Sequence, residues 1–347
     1  MKKTVTTLAD GRELIYYDAR DDTVRDAVDP RPLTPVVSRS EIRYDELTGD
    51  PVAVASHRQA RTYQPPADAC PLCPGKDGHE SEIPAADYEV AVFENRFPSL
   101  SGGVGRCEVV CFTADHTASF ADLTEEQARL VLDVWTDRTA ELSALPGVEQ
   151  VYCFENRGQE IGVTLPHSHG QIYAFPYVAP RTARMRGRLD EHRAATGRNL
   201  FDDVVARERT DGERVVLETA HWIAFVPYAA HWPYEVHLHP KRRVPDLLAL
   251  DEAARTEFAQ VYLELLRRFD RLFGPDEPPT PYIAAWHQAP FTDERREDFG
   301  LHLELFTVRR ASGKLKFLAG TESGMGAFMN DVRPEDAARR IREVATA

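Results

Sequence analysis

The chain has 347 residues and a formal net charge of −14 at pH 7, from 42 lysines and arginines against 56 aspartates and glutamates. A nucleic-acid-binding surface needs a basic face, which this balance does not favour. No segment approaches the roughly 20 apolar residues of a membrane span, and no apolar run follows the basic start Met1-Lys2-Lys3. We therefore expect a cytoplasmic protein with neither a nucleic-acid nor a membrane partner.

The cysteine pattern points to the same compartment. The chain has five cysteines, an odd number in a long sequence without a recognisable export signal. Such a set favours reduced thiols over a disulfide framework. The five are Cys70, Cys73, Cys107, Cys111 and Cys153.

The first 35 residues differ in character from the rest. They are rich in Asp, Arg, Thr and Pro and lack a sustained hydrophobic period. We interpret residues 1–35 as a polar N-terminal arm or an edge hairpin, and we expect the functional residues to lie elsewhere.

Residues 36–190 contain a strand–helix–strand–strand pattern. The stretch 107–112 reads as a strand, and Thr124 with Gln127 forms a capping box that would open a helix. Apolar residues then recur near helical spacing, at Ala128, Val131, Val134, Trp135 and Leu142. The stretches 150–154 and 171–175 predict the returning strands.

Residues 191–347 repeat this order. A strand is predicted at 234–238, a helix capped by Asp251, returning strands at 281–286 and 302–306, and a C-terminal helix from Pro334. Glu108 and Glu235 lie 127 residues apart, and His167 and His302 lie 135 apart, a difference that one loop insertion explains. This internal duplication predicts an α+β fold of two duplicated half-folds around an antiparallel sheet.

The segment Leu165-Pro166-His167-Ser168-His169-Gly170-Gln171 carries the strongest functional signal. In an extended chain, His167, His169 and Gln171 point to one face. Gly170 would let a ligand approach the backbone, and Gln171 offers an amide donor to an oxyanion. Two other interpretations stay open, namely a partly exposed polar strand and a pair of metal ligands.

A histidine in this setting suits nucleotidyl transfer. A neutral imidazole can attack phosphorus, and its adduct keeps a good leaving group for a second transfer. Gln171 would bind the oxygens that gain charge during attack, a contact whose loss costs roughly 2–4 kcal/mol of barrier.

The His-x-His-Gly-Gln motif, preceded by Glu155-Asn156-Arg157-Gly158, resembles the galactose-1-phosphate uridylyltransferase family of the histidine-triad superfamily. The resemblance runs from about Glu41 to the C-terminus, with Ser168 where the family usually has proline. It implies two histidine-triad-like half-folds. The first, residues 36–190, would hold a zinc site and the nucleophile, and the second would be residues 191–347.

The resemblance also implies an activity and residue roles. The expected reaction is exchange of UMP between UDP-glucose and galactose 1-phosphate through a covalent uridylyl-His169, with ping-pong kinetics and Gln171 orienting the phosphoryl group. It implies nucleotide contacts from Asn95, Asn156, Gly162, Val163 and Thr164, hexose contacts from Lys316, Phe317 and Glu322, and Arg58 and Arg61 supplied by a neighbouring subunit. We therefore expect a homodimer with shared active sites. Glu304 corresponds to His169, so we expect one catalytic centre per chain.

A structural zinc site is the expected cofactor. Cys70 and Cys73 have the two-residue spacing of a zinc knuckle, which supplies half of a tetrahedral site. The resemblance adds His116 and His167 as the other two ligands. Because four protein ligands leave no open position, the expected zinc is structural, one per chain. The alternative is a pair of free thiols in a loop.

Some members of the family hold a second metal with one glutamate and three histidines. The matching positions here are Met185, His287, His302 and Glu304. One ligand is lost and another has changed type, so we expect no second metal of that kind.

Three other functions remain open at this point. A phosphorylase of the same superfamily could act on another nucleoside diphosphate sugar or on a dinucleoside polyphosphate. A zinc-stabilised module could bind nucleotide without catalysis. His167 and His169 could also be joint ligands of a redox metal.

Overall fold

The computed structural model describes residues 1–35, 39–60, 65–76 and 78–346. The chain divides into two compact units that interleave along the sequence. Unit 1 comprises residues 1–153, 164–183 and 290–293, and unit 2 comprises residues 154–163, 184–289 and 294–347. Each unit is a mixed α/β structure built on antiparallel strands, as the duplicated pattern predicts.

The first part of the chain supplies the elements of unit 1. They are β1 (Lys2–Thr7), β2 (Glu13–Asp18), β3 (Glu41–Tyr44), β4 (Pro51–Val54), β5 (Val90–Glu94), β6 (Arg106–Cys111), α1 (Glu125–Ser143), β7 (Gln150–Arg157) and β8 (His169–Phe175). The first four residues of β7 belong to unit 1 and the last four to unit 2. The strand order in unit 1 is β1-β2-β5-β6-β8-β7, and β3 and β4 form a separate hairpin.

The N-terminal residues form an edge hairpin whose second strand is buried. β1 pairs with β2 and β2 pairs with β5, both antiparallel. Leu14 and Tyr16 of β2 pack in one hydrophobic cluster with Cys70, Leu72 and Cys111. The hairpin is therefore part of the core that surrounds the cysteine pair.

Helix α1 begins at the predicted capping box. The Thr124 side chain accepts from the Gln127 backbone N–H, and the Gln127 side chain accepts from the Thr124 N–H in return. Trp135 packs its ring against Phe112 and Phe120, with centroids 5.9 Å from each. These contacts hold the helix against the end of β6.

The later part of the chain supplies unit 2. Its elements are α2 (Pro180–Thr196, from residue 184 onward), α3 (Leu200–Asp211), β9 (Val215–Glu218), β10 (Trp222–Phe225), β11 (Tyr234–Pro240), α4 (Glu252–Arg271), β12 (Tyr282–His287), β13 (His302–Thr307), β14 (Arg309–Ala311), β15 (Lys314–Leu315), α5 (Gly320–Met325) and α6 (Pro334–Glu343). Its main strand order is β12-β13-β11-β10-β9, and the unit 2 part of β7 pairs with β12.

Helix α4 anchors the sheet of unit 2. The Asp251 side chain accepts from the Ala254 N–H at the start of the helix, as the sequence predicts. Phe258 packs between Trp222 of β10 and Trp286 of β12, with ring centroids 5.5 and 5.2 Å away. These three buried aromatic side chains fix the helix on the sheet.

The internal repeat is visible in the topology of the two units. In unit 1 the strands lie in the order β5-β6-β8-β7, with α1 following β6 in sequence. In unit 2 the corresponding order is β10-β11-β13-β12, with α4 following β11. The prediction of two duplicated half-folds is confirmed.

Two expectations about local structure need correction. The extended motif was expected to run through residues 167–171, but β8 begins only at His169. Helices α2 and α3 were not predicted, because neither presents a continuous apolar stripe. None of the helices in the described parts of the chain combines the length and apolar character needed to cross a membrane. All five cysteines are free thiols.

Candidate active site

His169 and Gln171 share one face of β8. Burial alternates along this strand, with Gly170 buried between two partly exposed side chains. Both side chains line one pocket of unit 1, together with Asn95 and Thr164. His167 precedes the strand and belongs to a neighbouring cysteine–histidine cluster, so two of the three expected groups face the pocket.

The local hydrogen bonding fixes how the His169 ring presents itself. Its Nδ1 lies 2.7 Å from the His167 carbonyl oxygen, which can only accept, so we assign the proton to Nδ1. Burial lowers the pKa of His169, although this hydrogen bond opposes the shift, and the ring is neutral near pH 7. A neutral ring protonated at Nδ1 carries its reactive lone pair on Nε2.

The pocket walls are largely apolar and were not predicted. Leu72, Phe93, Phe97 and Val109 line it on the side chains' hydrophobic faces. Apolar and aromatic walls with a few convergent polar groups are typical of small-molecule sites. A signal was present in the sequence, since Phe93 and Phe97 flank Asn95 on either side.

A buried carboxylate forms another part of the wall. Glu82 lines the pocket and is buried, with Arg31 Nη1 3.0 Å and Arg96 Nη1 3.8 Å from its Oε1. Arg12 donates to its other oxygen. The N-terminal residues therefore brace the pocket, contrary to the expectation that the arm has no part in function.

Two predicted substrate-binding residues hold defined positions at the pocket. Asn95 Oδ1 accepts from the Phe97 N–H at 2.9 Å, which folds the turn that carries both residues. Arg58 donates to Ser99 Oγ, and this hydroxyl lies 3.2 Å from the Tyr173 hydroxyl on β8. Arg58 lines the pocket of its own chain. The resemblance implied a neighbouring subunit for Arg58, and this geometry replaces that expectation. Arg61 lies outside the described residues.

Cys70, Cys73, His116 and His167 come together beside the pocket as one cluster. Their four ligand atoms all lie within 4.8 Å of one another. Cys73 Sγ is 3.2 Å from His116 Nδ1 and 3.5 Å from His167 Nδ1. Thiolate and imidazole ligands around a tetrahedral zinc would lie roughly 3.5 Å apart, so the donor set and its spacing fit a metal of that type.

Neighbouring groups orient His167 toward this cluster. Its Nε2 lies 2.7 Å from the Thr113 carbonyl oxygen and 3.0 Å from the Tyr88 hydroxyl. Tyr88 in turn donates to the Leu72 carbonyl at 2.8 Å. With the proton held on Nε2, the Nδ1 lone pair faces the two thiols, the arrangement that metal-binding histidines commonly show.

Ser168 lies between the two histidines and is buried. Its carbonyl accepts from the Phe112 N–H at 3.4 Å. Its hydroxyl oxygen has no hydrogen-bond partner within the part of the chain that the structure describes. Nothing in the structure gives this hydroxyl a role that a proline would lack.

Three further predicted nucleotide contacts lie in unit 2. Asn156 is on β7 and pairs with Ile283. Gly162 has a φ of +83°, a left-handed conformation that favours glycine. The Val163 N–H donates to the Gly158 carbonyl at 3.4 Å in the same turn.

The predicted hexose residues also belong to unit 2. Lys316 Nζ lies 3.0 Å from Glu322 Oε1 in a buried ion pair. Lys316 and the Thr321 hydroxyl hold the pKa of Glu322 at about 2. Phe317 is 73% exposed, so this segment presents an aromatic ring to its surroundings beside a satisfied ion pair.

Comparisons with known proteins agree with this geometry. Residues 101–179 match the family model for the galactose-1-phosphate uridyl transferase N-terminal domain, and residues 186–347 match the model for the C-terminal domain. The chain is 64% identical to a galactose-1-phosphate uridylyltransferase of Streptomyces lividans, over 99% of this chain and 98% of the relative. It is 37% identical to the Thermotoga maritima protein of the same name, over 87% and 98%. A solved uridylyltransferase structure superposes with a TM-score of 0.77 at 30% identity, covering 87% of this chain and 97% of that one.

Proposed function

We propose that this chain, which belongs to the galactose-1-phosphate uridylyltransferase family, transfers UMP from UDP-glucose to galactose 1-phosphate through a covalent uridylyl-His169. The chain is a transferase by family. The observation that carries the mechanism is the His169 ring, protonated on Nδ1 and lining a pocket with Gln171.

In the first half-reaction, His169 Nε2 attacks the phosphorus that bears the uridine. A phosphorus–nitrogen bond forms as the bond to the bridging oxygen breaks, and that oxygen leaves with glucose 1-phosphate. Gln171 and Arg58 line the same pocket and can bind the nonbridging oxygens. Contacts that strengthen as charge develops lower the barrier.

In the second half-reaction, a phosphate oxygen of galactose 1-phosphate attacks the same phosphorus. The phosphorus–nitrogen bond breaks, UDP-galactose leaves, and His169 regains its lone pair. The Nδ1 proton stays on the His167 carbonyl throughout, because Nε2 alone exchanges bonds.

The pocket of unit 1 suits the uridine portion of the substrate. Its apolar side chains, Phe93 and Phe97 among them, offer flat surfaces to a base, and Asn95 and Thr164 offer polar groups. Asn156, Gly162 and Val163 as nucleotide contacts, and Lys316, Phe317 and Glu322 as hexose contacts, are part of the same proposal and rest on the family resemblance.

We propose that the cysteine–histidine cluster holds one structural zinc. Its support is the donor set of two thiols and two imidazoles, which leaves no open position for substrate. When bound, the metal would supply a cross-link among loops of unit 1. His167 would thereby be fixed two residues before His169.

A cytoplasmic location and a homodimer with shared active sites complete the proposal. Five free thiols fit a reducing compartment. Exposed apolar side chains in unit 2, including Phe317 and Met325 at 73% and 83% exposure, suit a contact with a second copy. The expected partners are the small-molecule substrates, without nucleic acid or membrane.

An exchange assay tests the reaction itself. UDP-glucose labelled in the uridine is offered with a panel of sugar 1-phosphates, and initial rates are measured over both concentrations. The proposal expects UDP-galactose as the preferred product and parallel double-reciprocal lines. Kinetics that require both substrates at once, or discharge only by an acceptor such as inorganic phosphate, would reject it in favour of another transferase or a phosphorylase.

A mixing experiment tests whether Arg58 acts within its own chain. His169→Ala chains are exchanged with Arg58→Ala chains, and hybrid formation is verified by mass. Because Arg58 and His169 line one pocket of one chain, the hybrids should remain as inactive as the parents. Recovery of about half of the wild-type activity per hybrid would show that Arg58 reaches the neighbouring site.

A further inference from the structure

Unit 2 contains a second cluster of metal-ligand side chains that the reaction does not use. His287, His302 and Glu304 are buried, and their ligand atoms lie within 4.8 Å of one another. Strand register explains the cluster, because His287 of β12 pairs with His302 of β13 and His237 of β11 pairs with Glu304. The cluster is therefore held by three neighbouring strands.

The spacing within the cluster is that of a metal's ligand sphere. Glu304 Oε2 lies 3.3 Å from His287 Nε2, and Glu304 Oε1 lies 3.7 Å from His302 Nε2. Hydrogen bonds from nitrogen to oxygen are shorter, roughly 2.7–3.2 Å. Nitrogen and oxygen ligands around a tetrahedral ion with bonds of about 2.1 Å lie roughly 3.4 Å apart.

The tautomer of His302 strengthens this argument. Its Nδ1 lies 2.8 Å from the Gly300 carbonyl oxygen, so Nδ1 carries the proton and Nε2 is left with a lone pair. That lone pair faces the Glu304 carboxylate in a buried setting. Two electron-rich groups at this distance repel each other unless a cation lies between them.

His237 completes the surroundings without being needed as a ligand. Its Nε2 lies 2.9 Å from Glu235 Oε1 and 3.6 Å from Glu304 Oε1. Glu235 also accepts from the backbone N–H groups of His231 and Trp232, so it is anchored independently of the cluster. The Glu235–His237 pair thus packs beside Glu304 and limits how far that carboxylate can turn.

A route into the cluster is visible. A cavity of about 260 Å³ in unit 2 is lined by His239, Gly300 and Asp202, among others. The His239 ring stacks on His302 with centroids 4.9 Å apart, and Gly300 is the residue that fixes the His302 tautomer. This space is wide enough for a hydrated ion, since one water needs only about 10–15 Å³ by such a measure.

We propose that His287, His302 and Glu304 bind a divalent first-row transition ion, zinc or iron(II), in a second metal site. Two imidazoles and one carboxylate are a recurrent donor set for these ions. The carboxylate comes from position 304 of β13. The family's own set would place a carboxylate at position 185, where this chain has Met185. The earlier expectation of no second metal concerned that family set, and the present site uses a different one.

Metal analysis of the purified full chain tests the proposal directly. Protein dialysed separately against Zn²⁺ and Fe²⁺ and then against buffer should hold about two ions per chain, one in each closed donor set. Glu304→Gln should lose one ion, and Cys73→Ser should lose the other. Cobalt substitution separates the sites, because only the cysteine site gives a thiolate-to-metal charge-transfer band.

Two controls keep the result interpretable. Met185→Leu should keep both ions, and so should His192→Gln, which changes a histidine paired with Asp203 elsewhere in unit 2. If Glu304→Gln does not fold, the wild-type stoichiometry and the cobalt spectrum still decide. About one ion per chain after both dialyses, with cobalt bound only through thiolate, would overturn the second site and leave the proposed reaction intact.

Discussion

The two units repeat one topology but differ at the start of one pair of equivalent strands. In unit 1, β8 begins with His169, and Gln171 follows on the same face. In unit 2, β13 carries Glu304 and Phe306 at the corresponding positions. The duplication has therefore kept the backbone while only one copy retains a nucleophile and its amide partner.

The surroundings of the two strands differ as much as the side chains. His169 is partly exposed and lines a pocket, whereas Glu304 is 3% exposed among three histidines. His167 and His302, which also correspond, are both buried and both belong to clusters that could hold a metal. The comparison teaches that the position two residues earlier is a ligand position in both units, and that access decides where chemistry occurs.

The largest expected effect comes from removing the nucleophile. His169→Ala should lower kcat/KM by at least about a thousandfold, as loss of a covalent catalyst does. Adding Glu304→His to that variant should restore nothing, because unit 2 lacks a glutamine at 306 and buries the position. Measurable recovery in the double variant would mean that the two units are closer to functional equivalence than this comparison holds.

The next effect concerns the amide beside the nucleophile. Gln171→Ala should raise the barrier by about 2–4 kcal/mol, roughly 30- to 1,000-fold in rate, and slow both half-reactions. Phe306→Ala is the matched change in unit 2. Phe306 stacks on Trp232 at 4.7 Å, so that variant should lose stability while its rate per folded molecule stays near wild type. Equal rate losses in the two variants would remove the distinction.

Stability should depend on the cysteine–histidine cluster of unit 1. Cys73→Ser should release one metal ion per chain and lower the free energy of unfolding by on the order of 3–5 kcal/mol, because metal binding is linked to folding. Cys153→Ser changes a buried cysteine outside the cluster and should keep the full metal content. A metal-free Cys73→Ser protein with wild-type stability and activity would refute the structural role.

The smallest expected effect is at Ser168. Its buried hydroxyl lacks a partner among the described residues, so Ser168→Ala should change stability by about 1 kcal/mol or less, in the stabilising direction. Activity should stay within about twofold of wild type. A tenfold rate loss, measured in the exchange assay, would reveal a contact to substrate.

Local signals explain which parts of the fold were predictable. The capping groups of Thr124 and Asp251 and the apolar stripes behind them placed α1 and α4, because these signals lie within one helical turn of the element. Helix α2 is polar on all sides and gave no such stripe, although Pro180 at its first position was a usable signal. The edge hairpin was anticipated as one alternative, but its burial was not.

Features that depend on long-range pairing escaped the sequence. Glu82 lines the pocket because Arg12 and Arg31, about 50 to 70 residues earlier, converge on it. The approach of His237 to Glu304 depends on strand register across 67 residues. Neither pair has a local spacing that could announce it, whereas the Cys70–Cys73 pair does.

Mapping the covalent intermediate tests the central claim most directly. The enzyme is incubated with UDP-glucose without acceptor, digested under alkaline conditions that preserve phosphoramidates, and analysed by peptide mass spectrometry. The account predicts one uridylyl group per chain, on His169, lost when galactose 1-phosphate is added and absent in His169→Ala, whose metal content is unchanged. An adduct on any other residue, or steady turnover with no adduct at all, would contradict it.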